Sequence, residues 1–149
     1  DGQAEEAANF YISIFKNSKI LEVSRYGEGA PMPAGTALTV IFQLEGLQFM
    51  ALNGGPQFQF SEAISLSVDC EDQAEVDELW AKLTDGGEES MCGWLKDKYG
   101  LSWQIVPSAL GTLMQDEDPE RVQRVMQAIF QMQKIDLAVL QQAYEAVPV

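Results

Sequence analysis

The chain has 149 residues, 46% hydrophobic and 21% charged, a length and balance that suit one soluble globular domain folding without a disulfide or structural metal. Its 9 basic and 23 acidic residues give a formal charge of −14, which disfavours binding to nucleic-acid phosphates or to an anionic membrane surface. No apolar run approaches the ~20 residues of a membrane helix, and no signal-peptide pattern is present. Cys70 and Cys92 match no redox or metal motif, so two free thiols in a reducing cytoplasm are expected.

From Gln3 to Phe15, the residues Ala4, Ala7, Ala8, Tyr11, Ile12 and Phe15 fall near a 3.6-residue period and predict a helix. Glu5 and Glu6 lie in its first turn, where the helix dipole favours acids. Ile20 to Arg25 alternates and suits a strand, and the Gly- and Pro-rich stretch from Gly27 to Gly35 reads as a loop. Ala37 to Leu44, rich in β-branched and aromatic residues, and Leu47 to Leu52 form a predicted hairpin turned by Glu45-Gly46. Asn53-Gly54-Gly55-Pro56 breaks the return strand.

Ile64 to Cys70 alternates apolar and polar and reads as a half-buried strand. Gln73 to Leu83 follows as a helix, with Val76, Leu79, Trp80 and Leu83 on one face, Asp72 as its N-cap and Gly86-Gly87 as its stop. Glu88 and Glu89 read as solvated residues after that turn. Short strands are expected near Gly93 to Lys96 and Ser102 to Val106, joined by a turn at Lys98-Tyr99-Gly100, with Asp97-Lys98 a solvated local feature. Helices are then expected over Ser108 to Met114, Pro119 to Gln131 and Asp136 to Ala146, the second capped by Asp118. The order reads as two imperfect copies of a β-α-β-β-β unit, residues 1–58 and 59–107, within one domain that ends in a helical tail, 108–149. The first copy lacks its first strand, and the chain opens on Asp1 rather than Met, so a short preceding element is expected.

This repeat order resembles the vicinal-oxygen-chelate fold of the glyoxalase and bleomycin-resistance superfamily, an α+β fold of paired βαβββ units forming a cupped mixed sheet. The run Glu6-Ala7-Ala8-Asn9-Phe10-Tyr11, with Phe15 and Ser18, looks like its opening helix. Leu52-Asn53-Gly54-Gly55-Pro56 with Phe58, and the run from Cys92 through Trp94 and Trp103 to Gln104, resemble the PhnB-like branch, labelled 3-demethylubiquinone-9 3-methyltransferase. The resemblance covers most of the chain, including the tail. The methyltransferase label draws no support from the residues, because no strand, Gly-rich loop and helix stand in the order that would cradle S-adenosylmethionine.

Catalytic members of the superfamily hold a divalent metal with His and Glu side chains from inward-facing strand positions, where it acts as a Lewis acid. This chain has no His. Gln104 stands where the last ligand Glu is often found, Ala63 to Ser65 offer no carboxylate, and the first unit's return strand offers Met50, Ala51 and Asn53. No metal centre and no other cofactor are therefore expected.

Without a metal, the cup suits a small molecule. Trp94, Trp103, Phe58 and Phe60 are candidate walls, with ordinary core packing as the alternative. Asn53 and Gln104 are candidate hydrogen-bonding groups, against a turn-forming role for Asn53 and a strand-surface role for Gln104. Cys92 is the one plausible nucleophile, yet with no His to act as base it reads better as a structural thiol, and Cys70 as a core residue. The expectation is a metal-free small-molecule-binding protein of the bacterial cytoplasm, a homodimer by analogy with its relatives. The alternatives are a metal-dependent lyase, isomerase or dioxygenase, and an interaction module with a vestigial cup.

Overall fold

The computed structural model describes residues 2–146, and these divide into two units, the first ending at Gln59 and the second beginning at Phe60. The first unit opens with α1 (Ala4–Ile14), whose small and aromatic residues Ala4, Ala8 and Tyr11 are buried along one stripe. That stripe packs on an antiparallel sheet of β1 (Lys19–Arg25), β2 (Ala37–Leu44) and β3 (Leu47–Leu52), in that order. Burial alternates along β2, with Val40, Phe42 and Leu44 buried. The Phe42 ring stacks with those of Tyr11 and Phe49, at centroid distances of 6.4 and 5.7 Å. The β2–β3 hairpin turns on Glu45 and Gly46, at φ of 47° and 86°, and this pair of left-handed residues matches the strand twist.

The second unit begins with β4 (Ser65–Cys70) and α2 (Gln73–Thr84), followed by β5 (Glu88–Glu89), β6 (Trp94–Lys96) and β7 (Ser102–Pro107). The sheet order is β4-β7-β6-β5. Parallel pairing of β4 with β7 places the strand before the helix beside the last strand. Sequence reading missed β5. It forms because Gly87 has no side chain: a Cβ there would lie 2.2 Å from the Lys96 carbonyl oxygen, so glycine alone lets the segment close on β6. Asp72 caps α2, its carboxylate accepting from the Glu75 amide at 2.9 Å.

The tail comprises α3 (Ser108–Met114), α4 (Pro119–Ile129) and α5 (Leu137–Glu145), the last two capped by Asp118 and Asp136. Val125, Ile135 and Leu140 form its buried centre. The tail belongs to the second unit, and polar contacts tie it there. The Gln73 side chain donates to the Ile135 carbonyl at 3.0 Å and accepts from the Leu137 amide at 2.8 Å. The amides of Cys92 and Gly93 donate to the carbonyls of Met132 and Gln133, at 2.9 and 2.7 Å. Gly93 stands at φ 82°, which favours glycine, and a Cβ there would also crowd the Ile105 carbonyl oxygen at 3.0 Å and Ile135 Cδ1 at 2.8 Å. No helix of the described residues is long and apolar enough to cross a membrane.

Candidate functional site

Register divides the second sheet into two faces. Leu95, Trp103, Ile105 and Cys70 are buried on the face toward α2, where the Trp80 indole donates to Glu89 at 2.7 Å. The opposite face is polar. It carries Ser65 and Ser67 from β4, Ser102 and Gln104 from β7, Trp94 and Lys96 from β6, and Glu88 from β5. Trp94 pairs with Gln104 and Lys96 with Ser102 across β6 and β7, so all four side chains stand on this face. Gln104 Nε2 donates to Ser65 Oγ at 2.9 Å.

At the β5–β6–β7 end of this face is a hollow of about 110 Å³, lined by Glu62, Glu88, Glu89, Ser90, Trp94, Lys96 and Ser102 among others. Two of these, Lys96 and Glu62, form an ion pair, with Nζ 2.6 Å from the carboxylate. That hydrogen-bonded contact holds the Glu62 carboxyl below its ordinary range and raises the Lys96 ammonium. Ser102 is only 2% exposed, and its hydroxyl has no hydrogen-bond partner among the described residues. A buried hydroxyl without a partner is uncommon, because desolvation costs it about 1–3 kcal/mol.

The residues singled out in the sequence divide between the two units. Asn53 and Phe58 belong to the first unit, Trp94, Trp103 and Gln104 to the second. Both ends of the buried Asn53 amide are engaged by backbone: its oxygen accepts from the Ala4 amide at 3.0 Å, and its nitrogen donates to the Ala37 carbonyl at 2.8 Å. Asn53 thus clamps α1 to the sheet. Phe58 is 93% exposed, and Phe60 is exposed as well. Trp103 is 2% exposed on the α2 face, turned away from Gln104, and its indole donates to Asp97 at 2.8 Å. Trp94 and Gln104 do share the polar face.

Cys92 is half-buried at φ 62°, in a backbone segment bonded to the tail. Cys70 is fully buried, and that burial, with acids nearby, pushes its thiol up to about 12. Asp97 corrects the reading of a solvated turn residue. It is 2% exposed and accepts from the amides of Tyr99 and Leu101 as well as from Trp103. Ser102, Glu62 and Lys96 carry no local sequence motif that marks them as site residues. Only the β-strand period, placing Ser102 two residues before Gln104, could have signalled the first.

A divalent ion needs three or four competent ligands. The described residues contain no suitable group of three or more His, Cys, Asp or Glu side chains. On the polar face, the Gln104 amide and Ser65 hydroxyl bond each other. This donor set does not fit a divalent metal.

The model for the family described as 3-demethylubiquinone-9 3-methyltransferase matches residues 1–106, leaving the tail outside the match. A PhnB protein from Bacillus cereus, itself described under that methyltransferase heading, shares 40% identity and a TM-score of 0.68 over 72% of this chain and 93% of its own. A Pseudomonas aeruginosa protein of known structure has the same fold at 20% identity, with a TM-score of 0.59 over 72% of this chain and 90% of its own. No curated protein matches the chain. The sheet order, the helix on each unit and these similarities agree, and the chain belongs to the PhnB-like family of the glyoxalase superfamily.

Proposed function

We propose that this protein binds a small organic molecule on the polar face of its second sheet, without a metal centre. The hollow beside Trp94 carries the reading: a buried, unpartnered Ser102 hydroxyl lines it, and a molecule with a polar group would satisfy that hydroxyl. Trp94 offers an apolar plane, and Gln104, Ser65 and Lys96 offer hydrogen bonds around it. Holding a compound without transforming it is the role the bleomycin-resistance branch of the superfamily suggests. The free thiols Cys70 and Cys92 accord with a reducing cytoplasm.

The test combines metal analysis with a ligand screen. Protein dialysed against Zn²⁺, Ni²⁺, Co²⁺ and Mn²⁺ in turn is expected to retain none by mass spectrometry. A metabolite screen is expected to change indole fluorescence in the wild type and not in Trp94→Phe. One tightly held ion per chain would replace this reading with a metal-dependent lyase, isomerase or dioxygenase.

A further inference from the structure

The hollow on the polar face has an unusual charge balance. Its lining includes the carboxylates of Glu62 and Glu88 and one ammonium, Lys96, while Glu89, also at its rim, turns its carboxylate to the α2 face. Glu89 is occupied by the Trp80 indole, and Glu62 holds Lys96. Glu88 sits opposite Lys96 across β5 and β6 and adds to the field that raises the Lys96 ammonium. One cation thus faces more negative charge than it can balance, in a chain of net charge −14.

The remaining lining chemistry has the same preference. The Trp94 indole flanks the hollow, and an indole face attracts cations more strongly than the other aromatic faces do. Ser102 supplies a buried oxygen lone pair with no donor to fill it. A second anion would meet repulsion from the carboxylates, and a neutral alcohol would leave their excess charge unanswered. A primary ammonium brings three donors to one point and could meet a carboxylate, the Ser102 oxygen and the indole face together.

The geometry points to an amine subsite: this hollow receives the primary ammonium group of a small organic ligand, with Glu88 as its carboxylate partner, Ser102 as a buried acceptor and Trp94 as its wall. The inference rests on the polar face being a ligand surface, and it adds the class of ligand that face selects.

A matched series tests it: 2-phenylethylamine, 2-phenylethanol and 3-phenylpropionate, titrated into the full chain and followed by indole ¹H–¹⁵N resonances. The amine is expected to bind at least about tenfold more tightly than the alcohol, as a charge-assisted hydrogen bond predicts, and the carboxylate more weakly than both. The Trp94 indole resonance should move, and that of Trp103, bonded to Asp97 on the other face, should not. Glu88→Gln should bring amine and alcohol to equal affinity. Ser102→Ala should weaken amine binding while raising the melting temperature of the free protein, because it removes an unpaired buried hydroxyl. Equal binding of amine and alcohol by the wild type overturns the amine subsite and leaves the ligand surface standing. Binding of none of the three overturns the subsite, and the metabolite screen then decides the wider reading on its own. A Ser102→Ala variant that gains stability but keeps full amine affinity removes Ser102 from the site and overturns the assignment as stated.

Discussion

Two side chains show how much a single polar or ionisable group decides here. Asp97 gathers two backbone amides and the Trp103 indole in a buried setting, so it fixes the β6–β7 turn and a core tryptophan at once. Asp97→Ala would leave those donors without their acceptor, and a loss of about 3 kcal/mol or more is expected in urea unfolding. A shift of the Trp103 indole resonance would accompany it. Cys70 titrates at about 12 in the folded protein against 9.0 for an ordinary thiol, because burial disfavours the thiolate. The folded state therefore holds its proton more tightly than the unfolded state. The stability this group contributes is complete below pH 9, and it is lost as pH rises through 9 toward about 12. Alkaline unfolding monitored with Cys70→Ala beside the wild type checks this, the variant showing the flatter pH dependence. At neutral pH a disulfide reagent should modify only the half-buried Cys92 in the native protein and both thiols after denaturation.

At the scale of elements, most of the fold was legible because period and punctuation agreed. β2 and β3 were readable in full from alternating β-branched and aromatic residues around Glu45-Gly46. α2 was readable from its apolar stripe, its Asp72 cap and its Gly-Gly stop. β5 was not, since two glutamates after two glycines carry no hydrophobic pattern, and their pairing depends on the close approach that Gly87 permits. The candidate site was legible only in part. Trp94 and Gln104 fell on the polar face as the strand period requires, whereas Trp103, one residue before Gln104, necessarily faced the core. Asn53 had two readings in the sequence. The structure engages its amide with two distant backbone segments, a pairing that local pattern does not encode. Ser102 could not be ranked above any other serine until its surroundings were known.

On the scale of the whole molecule, the surface combines strong negative charge with exposed apolar groups. Leu47, Met50 and Leu52 stand out from β3, an edge strand of the first sheet, and Met126, Phe130 and Val139 from the tail. A charge of −14 opposes association at low salt, and such apolar groups favour it once the charge is screened. By the analogy with relatives drawn from the sequence we expect a two-fold homodimer, so light scattering in ~0.15 M salt should give twice the 16.5 kDa chain mass. A monomer at every concentration would end that expectation.

The seating of the tail against the second sheet has a consequence for engineering. Similarity to the family stops at residue 106, yet the connection between β5 and β6 is completed by carbonyls of Met132 and Gln133, and the space above Gly93 is filled by Ile135. The family match and the hydrogen-bonded second unit therefore end at different places in this chain. A version trimmed to residues 1–106 would lose hydrogen-bond acceptors for two main-chain amides and the packing over Gly93, while keeping the whole matched segment. Swapping the shared part for that of a relative would meet the same difficulty, unless the glycine that admits Ile135 came with it.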